Sequence, residues 1–174
     1  MNHEELVTFK GVDVADLCRQ LRAAPAILRA AVADLTLAEL EARPIPDKWS
    51  TRGVVEHVAL VSLGWTDIFY EATGKAYDNV RNHDLDWSAS ESARAKCGVA
   101  EALDVYDRHC HGIADYLQTL PPADWTRRFP AVQWLPHEFE IRDHLHWGIV
   151  GHLHYHLKFI VEKRAALGKP LLKC

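Results

Sequence analysis

The chain has 174 residues and a net charge of −4, from 20 lysines and arginines against 24 aspartates and glutamates. This length suits one domain, predicted over residues 1–174, and a hydrophobic fraction of 48% excludes intrinsic disorder as the overall state. The mildly acidic balance and the lack of a basic stripe argue against nucleic acid as the main ligand, and no apolar run approaches the roughly 18 residues that a membrane span needs.

Cysteine usage and the first residues predict a cytoplasmic protein. The four cysteines are scattered and form no CxxC pair, whereas a small secreted domain stabilised by disulfides carries them densely. The segment Met1–Glu5 has neither the basic nor the apolar region of a secretory signal. We therefore expect reduced thiols in the cytoplasm.

Two helices are predicted in the first part of the chain. An apolar stripe at helical spacing predicts the first from Asp13, a suitable N-cap, to about Asp34. Pro25 lies inside this stripe and predicts a kink or a break. A capping box at Thr36–Glu39 predicts a short helix after it.

The rest of the chain predicts three further long helices and no strands. They are expected from Ser50 to Gly74, from Ser90 or Ser92 to just before Pro121, and from about Glu138 to Gly168. Alternating β-branched runs and Asn-Gly turns are absent. Four long amphipathic helices in one domain predict an all-α four-helix bundle with long crossover loops, and the aromatic residues in the connections 74–90 and 121–137 predict loops that shape a pocket.

The chain contains 11 histidines, an unusually high number, and helical geometry distributes them unequally. His152 and His156 are four residues apart on the apolar face of the fourth helix, so they project the same way, one turn apart. His57 lies within or beside the apolar face of the second helix. For His57 alone, a core histidine bonded to a carbonyl or carboxylate is the simpler alternative. Together, a pair at i and i+4 and a third imidazole from a facing helix favour a metal site with open coordination positions.

The other histidines compete for this role. His144 lies at the edge of the same face and is predicted to support a ligand or contact substrate. His146 and His154 point away from the pair, towards the surface or an interface. His109 and His111 have polar neighbours and are predicted to be solvated.

The chain has no GxSxG elbow, P-loop, GxGxxG or HExxH. Glu56 points about 100° away from His57 and is predicted to lie on a solvated face. The candidate substrate-pocket residues are His144, Tyr155, Trp65, Trp87 and Trp134.

The segment from Lys48 to His57, which contains Lys-Trp-Ser-Thr-Arg and Val-Val-Glu-His, resembles the start of the second helix in the DinB/YfiT-like superfamily. That family shows a Trp-Ser start and a histidine eight residues after the tryptophan. Its fourth helix carries a histidine pair at i and i+4, as His152 and His156 do here. The layout of four helices, a long crossover and a tail after the third helix is similar along the whole chain.

This resemblance implies a four-helix bundle that holds one divalent metal ion, zinc or nickel, through His57, His152 and His156. It also implies a cytoplasmic protein, frequently a homodimer. Characterised relatives include S-transferases that use bacillithiol or mycothiol and a maleylpyruvate isomerase, while many members are known only as DNA-damage-inducible proteins or metal-dependent hydrolases.

We therefore expect a metal-dependent enzyme that activates water or a low-molecular-weight thiol towards a small-molecule substrate, as a hydrolase or a thiol S-transferase. The alternatives are a bundle that only binds a small molecule and a stress-inducible dimer with a relict site. No further motif in the chain selects among these activities.

Overall fold

The computed structural model of the chain describes residues 11–76, 98–129 and 139–170. The described elements are, in chain order, α1 (Val14–Val32), α2 (Leu37–Glu41), α3 (Thr51–Thr73), α4 (Val99–Thr119), α5 (Pro122–Trp125), β1 (Arg128–Phe129), β2 (Phe139–Glu140), α6 (Ile141–Leu145), a π-helical segment (His146–Gly151) and α7 (His152–Ala166). The backbone stays helical at both junctions of the π-helical segment, so α6, this segment and α7 form one continuous helix, the composite helix.

The four long helices, α1, α3, α4 and the composite helix, pack in a ring. α1 and α3 each contact both α4 and α7. The two long helices that come first along the chain therefore lie diagonally opposite each other, and α2 with its flanking segments makes the crossing. Between the helices lies an apolar core whose largest fully buried side chains include Leu17, Leu21, Leu28, Phe69, Tyr106, Ile113, Leu117, Leu145 and Leu153. The predicted four-helix bundle is confirmed, and none of the described helices has the length and apolarity that crossing a membrane requires.

The first helix passes through its proline without interruption. Asp13 caps it by accepting hydrogen bonds from two backbone N–H groups of the first turn, as predicted. Of the kink or break predicted at Pro25, the break is wrong, because α1 is continuous across this residue. Pro25 is buried, and Leu21 and Leu28 are fully buried on either side of it. Packing against the neighbouring helices therefore outweighs the hydrogen bond that proline cannot make.

The caps of α2 and α3 confirm the local sequence signals. The side chain of Thr36 accepts from the backbone of Glu39, whose carboxylate accepts in return from the Thr36 backbone. Ser50 caps α3 by accepting from a backbone N–H of the first turn. Gly74 ends α3 with φ at 72°, a left-handed conformation that glycine adopts without steric cost. These caps fix where His57 lies along α3.

The third long helix begins later than predicted. Gly98 precedes α4 with extended backbone angles, φ −78° and ψ 163°, so this helix does not continue back to Ser90 or Ser92. A glycine favours such a boundary because it gains little from helical geometry. The end of α4 before Pro121 is confirmed.

The chain between α5 and the composite helix contains a short ladder that the sequence did not predict. β1 and β2 pair antiparallel, with Arg128 opposite Glu140 and Phe129 opposite Phe139. Strands of two residues are too short to show the alternation by which a strand is recognised. The ladder brings together the two ends of the connection 130–138, which lies outside the described residues.

Candidate metal centre

His57 is positioned by the core-facing side of α3. Val54 and Val58 flank it and are 2% and 1% exposed, which turns this side of the helix towards the bundle. α3 packs against α7, so the imidazole of His57 meets the first two turns of that helix. His57 itself keeps part of its surface open to solvent.

His57, His152 and His156 face one another and form the three-histidine cluster. The ring centroid of His57 lies 5.0 Å from that of His152 and 4.7 Å from that of His156. The rings of His152 and His156 are 4.4 Å apart. One nitrogen atom from each residue lies within 4.8 Å of the other two, and such a group could hold a metal ion. The structure thus brings together the three histidines that their spacing singled out.

Burial keeps the two histidines of α7 uncharged. It lowers the pKa of His152 well below the ordinary value, and the neighbouring His156 and His57 lower it further. It also lowers the pKa of His156, to about 4, with a contribution from the positive charge of Lys163. At neutral pH both imidazoles therefore carry a free lone pair, which is the form that binds metal ions.

One nitrogen of the cluster has an unmet hydrogen-bonding capacity. The Nδ1 atom of His156 is buried and has no hydrogen-bond partner within the described part of the chain. A buried polar atom without a partner costs free energy. Nitrogen ligands of one tetrahedral zinc ion lie about 3.4 Å apart, given bonds of about 2.0–2.1 Å. The nitrogen atoms lie within 4.8 Å of one another, so the rings have to move closer to bind one ion, and three neutral imidazoles are a donor set that fits a divalent metal.

Aromatic side chains border the cluster on two sides, and we call them the aromatic rim. The ring of Trp49, just before the cap of α3, lies edge-on to His57 at 4.8 Å. On the other side, Tyr155 lies 5.1 Å and Phe159 5.6 Å from the ring of His156. All three rim residues are partly exposed, so the rim connects the cluster with solvent.

His144 and Trp65 form a separate buried pair. Their rings meet edge-to-face at 4.3 Å, and they are 3% and 6% exposed. Trp65 follows His57 by eight residues, about 12 Å along the axis of α3. Burial lowers the pKa of His144 to about 3, so it is neutral as well. The structure places Tyr155 at the cluster and this pair in the core, two turns away.

The comparisons with known proteins agree with this architecture. A model of the DinB superfamily matches residues 20–160. The chain belongs to the DinB superfamily. The matched range contains all three residues of the cluster.

The same architecture is found in a solved structure. YfiT from Bacillus subtilis, described as a probable metal-dependent hydrolase with an unusual four-helix bundle topology, is similar with a TM-score of 0.72 and 19% sequence identity, over 92% of this chain and 93% of that chain. At this identity the likeness shows the fold. A search of curated proteins finds no match.

The glutamate directly before His57 in this DinB chain is fully buried. The sequence predicted that it lies on a solvated face, and this prediction is wrong. Glu56 has 0% exposure, and its Oε1 atom accepts from the Nε atom of Arg52 at 2.8 Å. Arg52 also donates to Glu41 at 3.1 Å. The prediction failed because helical periodicity says nothing about neighbouring elements, and α2 packs against α3 at this point.

The remaining described histidines confirm the predictions only in part. His154 and His111 are exposed, as expected. His146 instead bonds the side-chain oxygen of Gln20 at 3.0 Å in a partly buried position. His109 is also partly buried, and burial, together with a neighbouring positive charge, lowers its pKa to about 4.

Two residues of the aromatic rim, Trp49 and Phe159, were not predicted from the sequence to lie beside the cluster. The sequence pattern marks Trp49 only as part of the start of a helix, and no prediction concerns Phe159. The spacing of Phe159, three residues after His156, could have placed it beside the cluster. Trp87 and Trp134, the other predicted pocket walls, lie outside the described residues.

Proposed function

We propose that this DinB-superfamily protein is a divalent-metal-dependent enzyme acting on a small molecule, with one metal ion held by His57, His152 and His156. The observation that carries the proposal is the convergence of three neutral imidazoles from two helices, with nitrogen atoms within 4.8 Å of one another. The buried Nδ1 of His156, without a hydrogen-bond partner in the described residues, supports it. Imidazole ligands suit zinc and nickel, the metals we propose.

The chemistry at such a site is Lewis-acid chemistry, in which a bound divalent metal lowers the pKa of water or of a thiol towards neutrality. Three protein ligands leave room for a further ligand, an arrangement typical of catalytic rather than structural sites. The partial exposure of His57 and His152 gives small molecules access, and the aromatic rim limits the free water around them. The chain therefore supplies the metal ligands, a route from solvent to the metal site and the aromatic side chains that border the site.

Two reaction types are compatible with this arrangement. The description of YfiT as a probable metal-dependent hydrolase supports hydrolysis. The resemblance to thiol-dependent relatives supports transfer to a low-molecular-weight thiol. Two assays on the zinc and nickel forms separate these reaction types. Cleavage of ester and amide substrates indicates a hydrolase, and conjugation of a thiol with an electrophile indicates a transferase.

Metal content of protein purified without a histidine tag tests the proposal. We expect about one equivalent of zinc or nickel in the native protein and less than about a tenth in His156→Ala, with helix content retained. His154→Ala is the matched control, because His154 is exposed on the same helix and should leave the metal content unchanged. Equal metal contents in the two variants would contradict the proposal and favour a relict or metal-free binding bundle.

A further inference from the structure

The surroundings of the cluster point to the kind of molecule that it accepts. We infer that the substrate carries an anionic group and a planar body, with the ammonium of Lys48 meeting the anion and the aromatic rim contacting the planar part. This inference rests on the proposed function, since it names the substrate class of the same site.

The rim places aromatic rings on two sides of the three-histidine cluster. Trp49 forms one wall beside His57, and the edge-to-face pair of Tyr155 and Phe159, with centroids 5.2 Å apart, forms the other beside His156. Aromatic walls favour flat apolar or conjugated groups, because offset and edge-to-face contacts add to the burial of apolar area. A flat body of this kind therefore suits a site that these rings border.

Lys48 brings a positive charge to the edge of the aromatic rim. Its Nζ atom lies 5.8 Å from the centroid of the Phe159 ring, so the segment before α3 reaches over to α7. Lys48 is exposed, and its ammonium has no hydrogen bond or ion pair with the described residues. A cation next to an aromatic wall, without an acidic partner from the described chain, is available to an anion from outside.

The ligand set makes the site more attractive to anions. The described cluster consists of three histidines and contains no carboxylate, so a divalent metal bound there would bring two uncompensated positive charges. The buried carboxylate next to His57, that of Glu56, is already paired with Arg52. The buried Lys163, whose Nζ donates to the carbonyl of Phe159, adds positive charge 5.7 Å from the Phe159 ring. An anionic substrate supplies the missing negative charge.

The test compares benzoate with benzamide, which has nearly the same shape but no charge. Dissociation constants are measured by ligand-observed NMR titration on the metal-free and the zinc-loaded protein. We expect benzoate to bind the metal-free protein about three- to fivefold more tightly than benzamide, the range of a partly exposed ion pair. Lys48→Gln should remove this preference, and Lys48→Arg should retain it.

Two further variants separate the parts of the inference. Lys158→Gln is the matched control, because Lys158 is exposed on α7 and should leave the preference unchanged. Trp49→Leu should weaken the binding of both probes severalfold, while the preference for benzoate persists. The inference would be overturned if the native protein bound the two probes with equal affinity. It would also be overturned if Lys158→Gln and Lys48→Gln lost the preference for benzoate to the same extent.

Metal binding by the cluster and the preference for benzoate are measured separately, so each can fail without the other. The metal-free titrations decide whether the rim and Lys48 select planar anions, whatever the metal content of the protein. If zinc binds as proposed and the probes show no preference, the inference fails and the proposed function stands. If the preference is present but His156→Ala retains full metal content, the proposed ligand set fails and the planar-anion subsite stands.

Discussion

Four buried or partly buried histidines show what distinguishes a candidate ligand from a core residue. His144 packs edge-to-face against Trp65 in the core, whereas the three imidazoles of the cluster face one another. Burial lowers the pKa values of His144 and His156 alike, to about 3 and about 4. Mutual orientation of the imidazoles, rather than burial or pKa, therefore identifies the cluster.

At the residue scale, the buried carboxylate of Glu56 predicts a large cost for losing its partner. Arg52→Ala removes the arginine that is paired with the buried carboxylate of Glu56, and we expect the free energy of unfolding to fall by about 3 kcal/mol. Glu41→Gln removes only the exposed partner of Arg52 and should cost less than about 1 kcal/mol. Denaturant unfolding of both variants measures the two effects. Similar losses in the two variants would show that Glu56 does not depend on Arg52.

The sequence predicted the cluster better than its surroundings. His152 and His156 belong to one helix, so their relative direction follows from helical geometry alone. The burial of Glu56 and the position of Lys48 over Phe159 depend on contacts between different elements. No periodicity within one helix contains that information.

At the element scale, the π-helical segment is the feature that the sequence did not predict. It lies directly before His152, and Gly148 inside it packs against the ring of Trp65. A wide turn of this kind depends on close packing, and its residues give no periodic signal of their own. Because it changes the helical register between His144 and His152, the face calculated for a regular helix places these two residues wrongly relative to each other.

Gly148→Ala tests whether the π-helical segment positions α7 and its two histidines. An added Cβ atom would lie 2.7 Å from the nearest ring atom of Trp65, so the composite helix has to shift. We expect a loss of about 1–3 kcal/mol in the free energy of unfolding, typical of overpacking, and weaker zinc binding because α7 carries His152 and His156. Thermal unfolding and zinc titration measure the two effects.

Gly112→Ala provides the matched control for this substitution. Its added Cβ atom would lie 3.6 Å from the Tyr70 hydroxyl, an ordinary contact distance. Alanine is also favoured over glycine inside a helix by up to about 1 kcal/mol. We therefore expect equal or higher stability and unchanged zinc affinity. A Gly148→Ala variant that behaves like Gly112→Ala would contradict the proposed role of the π-helical segment.

At the scale of the whole molecule, an ion pair connects the end of α1 with α7. Arg164 donates from both terminal nitrogens to the carboxylate of Asp34, at 2.6 and 3.0 Å, and from one of them to the carbonyl of Ala31. The side chain of Arg164 is only 4% exposed. This pair therefore stabilises the contact between the first and the last long helix.

The pair predicts an acid-dependent part of the stability. The hydrogen bond from Arg164 lowers the pKa of Asp34 below its ordinary value of 3.8, so the carboxylate stabilises the folded state above that pH. This contribution is lost as the pH falls through the lowered pKa. We expect the native protein to be more stable than Asp34→Asn at about pH 6 and the two to converge as the pH falls below the lowered pKa of Asp34. Denaturant unfolding across this range measures the difference, and a constant difference would contradict the assignment.

The general architecture was predictable, while the arrangement of the helices was not. Amphipathic spacing and the caps at Ser50 and Gly74 are local signals, and they predicted the bundle and the bounds of α3. The diagonal placement of α1 and α3 depends on which helix faces fit together, which no single segment shows. The homodimer stays a prediction, which sedimentation equilibrium of the native chain can test.

The central claim is that His57, His152 and His156 together hold one divalent metal ion. A crystal structure of untagged protein grown with zinc, with anomalous diffraction recorded on both sides of the zinc edge, tests it most directly. We predict a single strong anomalous peak about 2.1 Å from one nitrogen of each of the three histidines. A peak bound elsewhere, or a cluster that stays empty in zinc-containing crystals, would contradict this account.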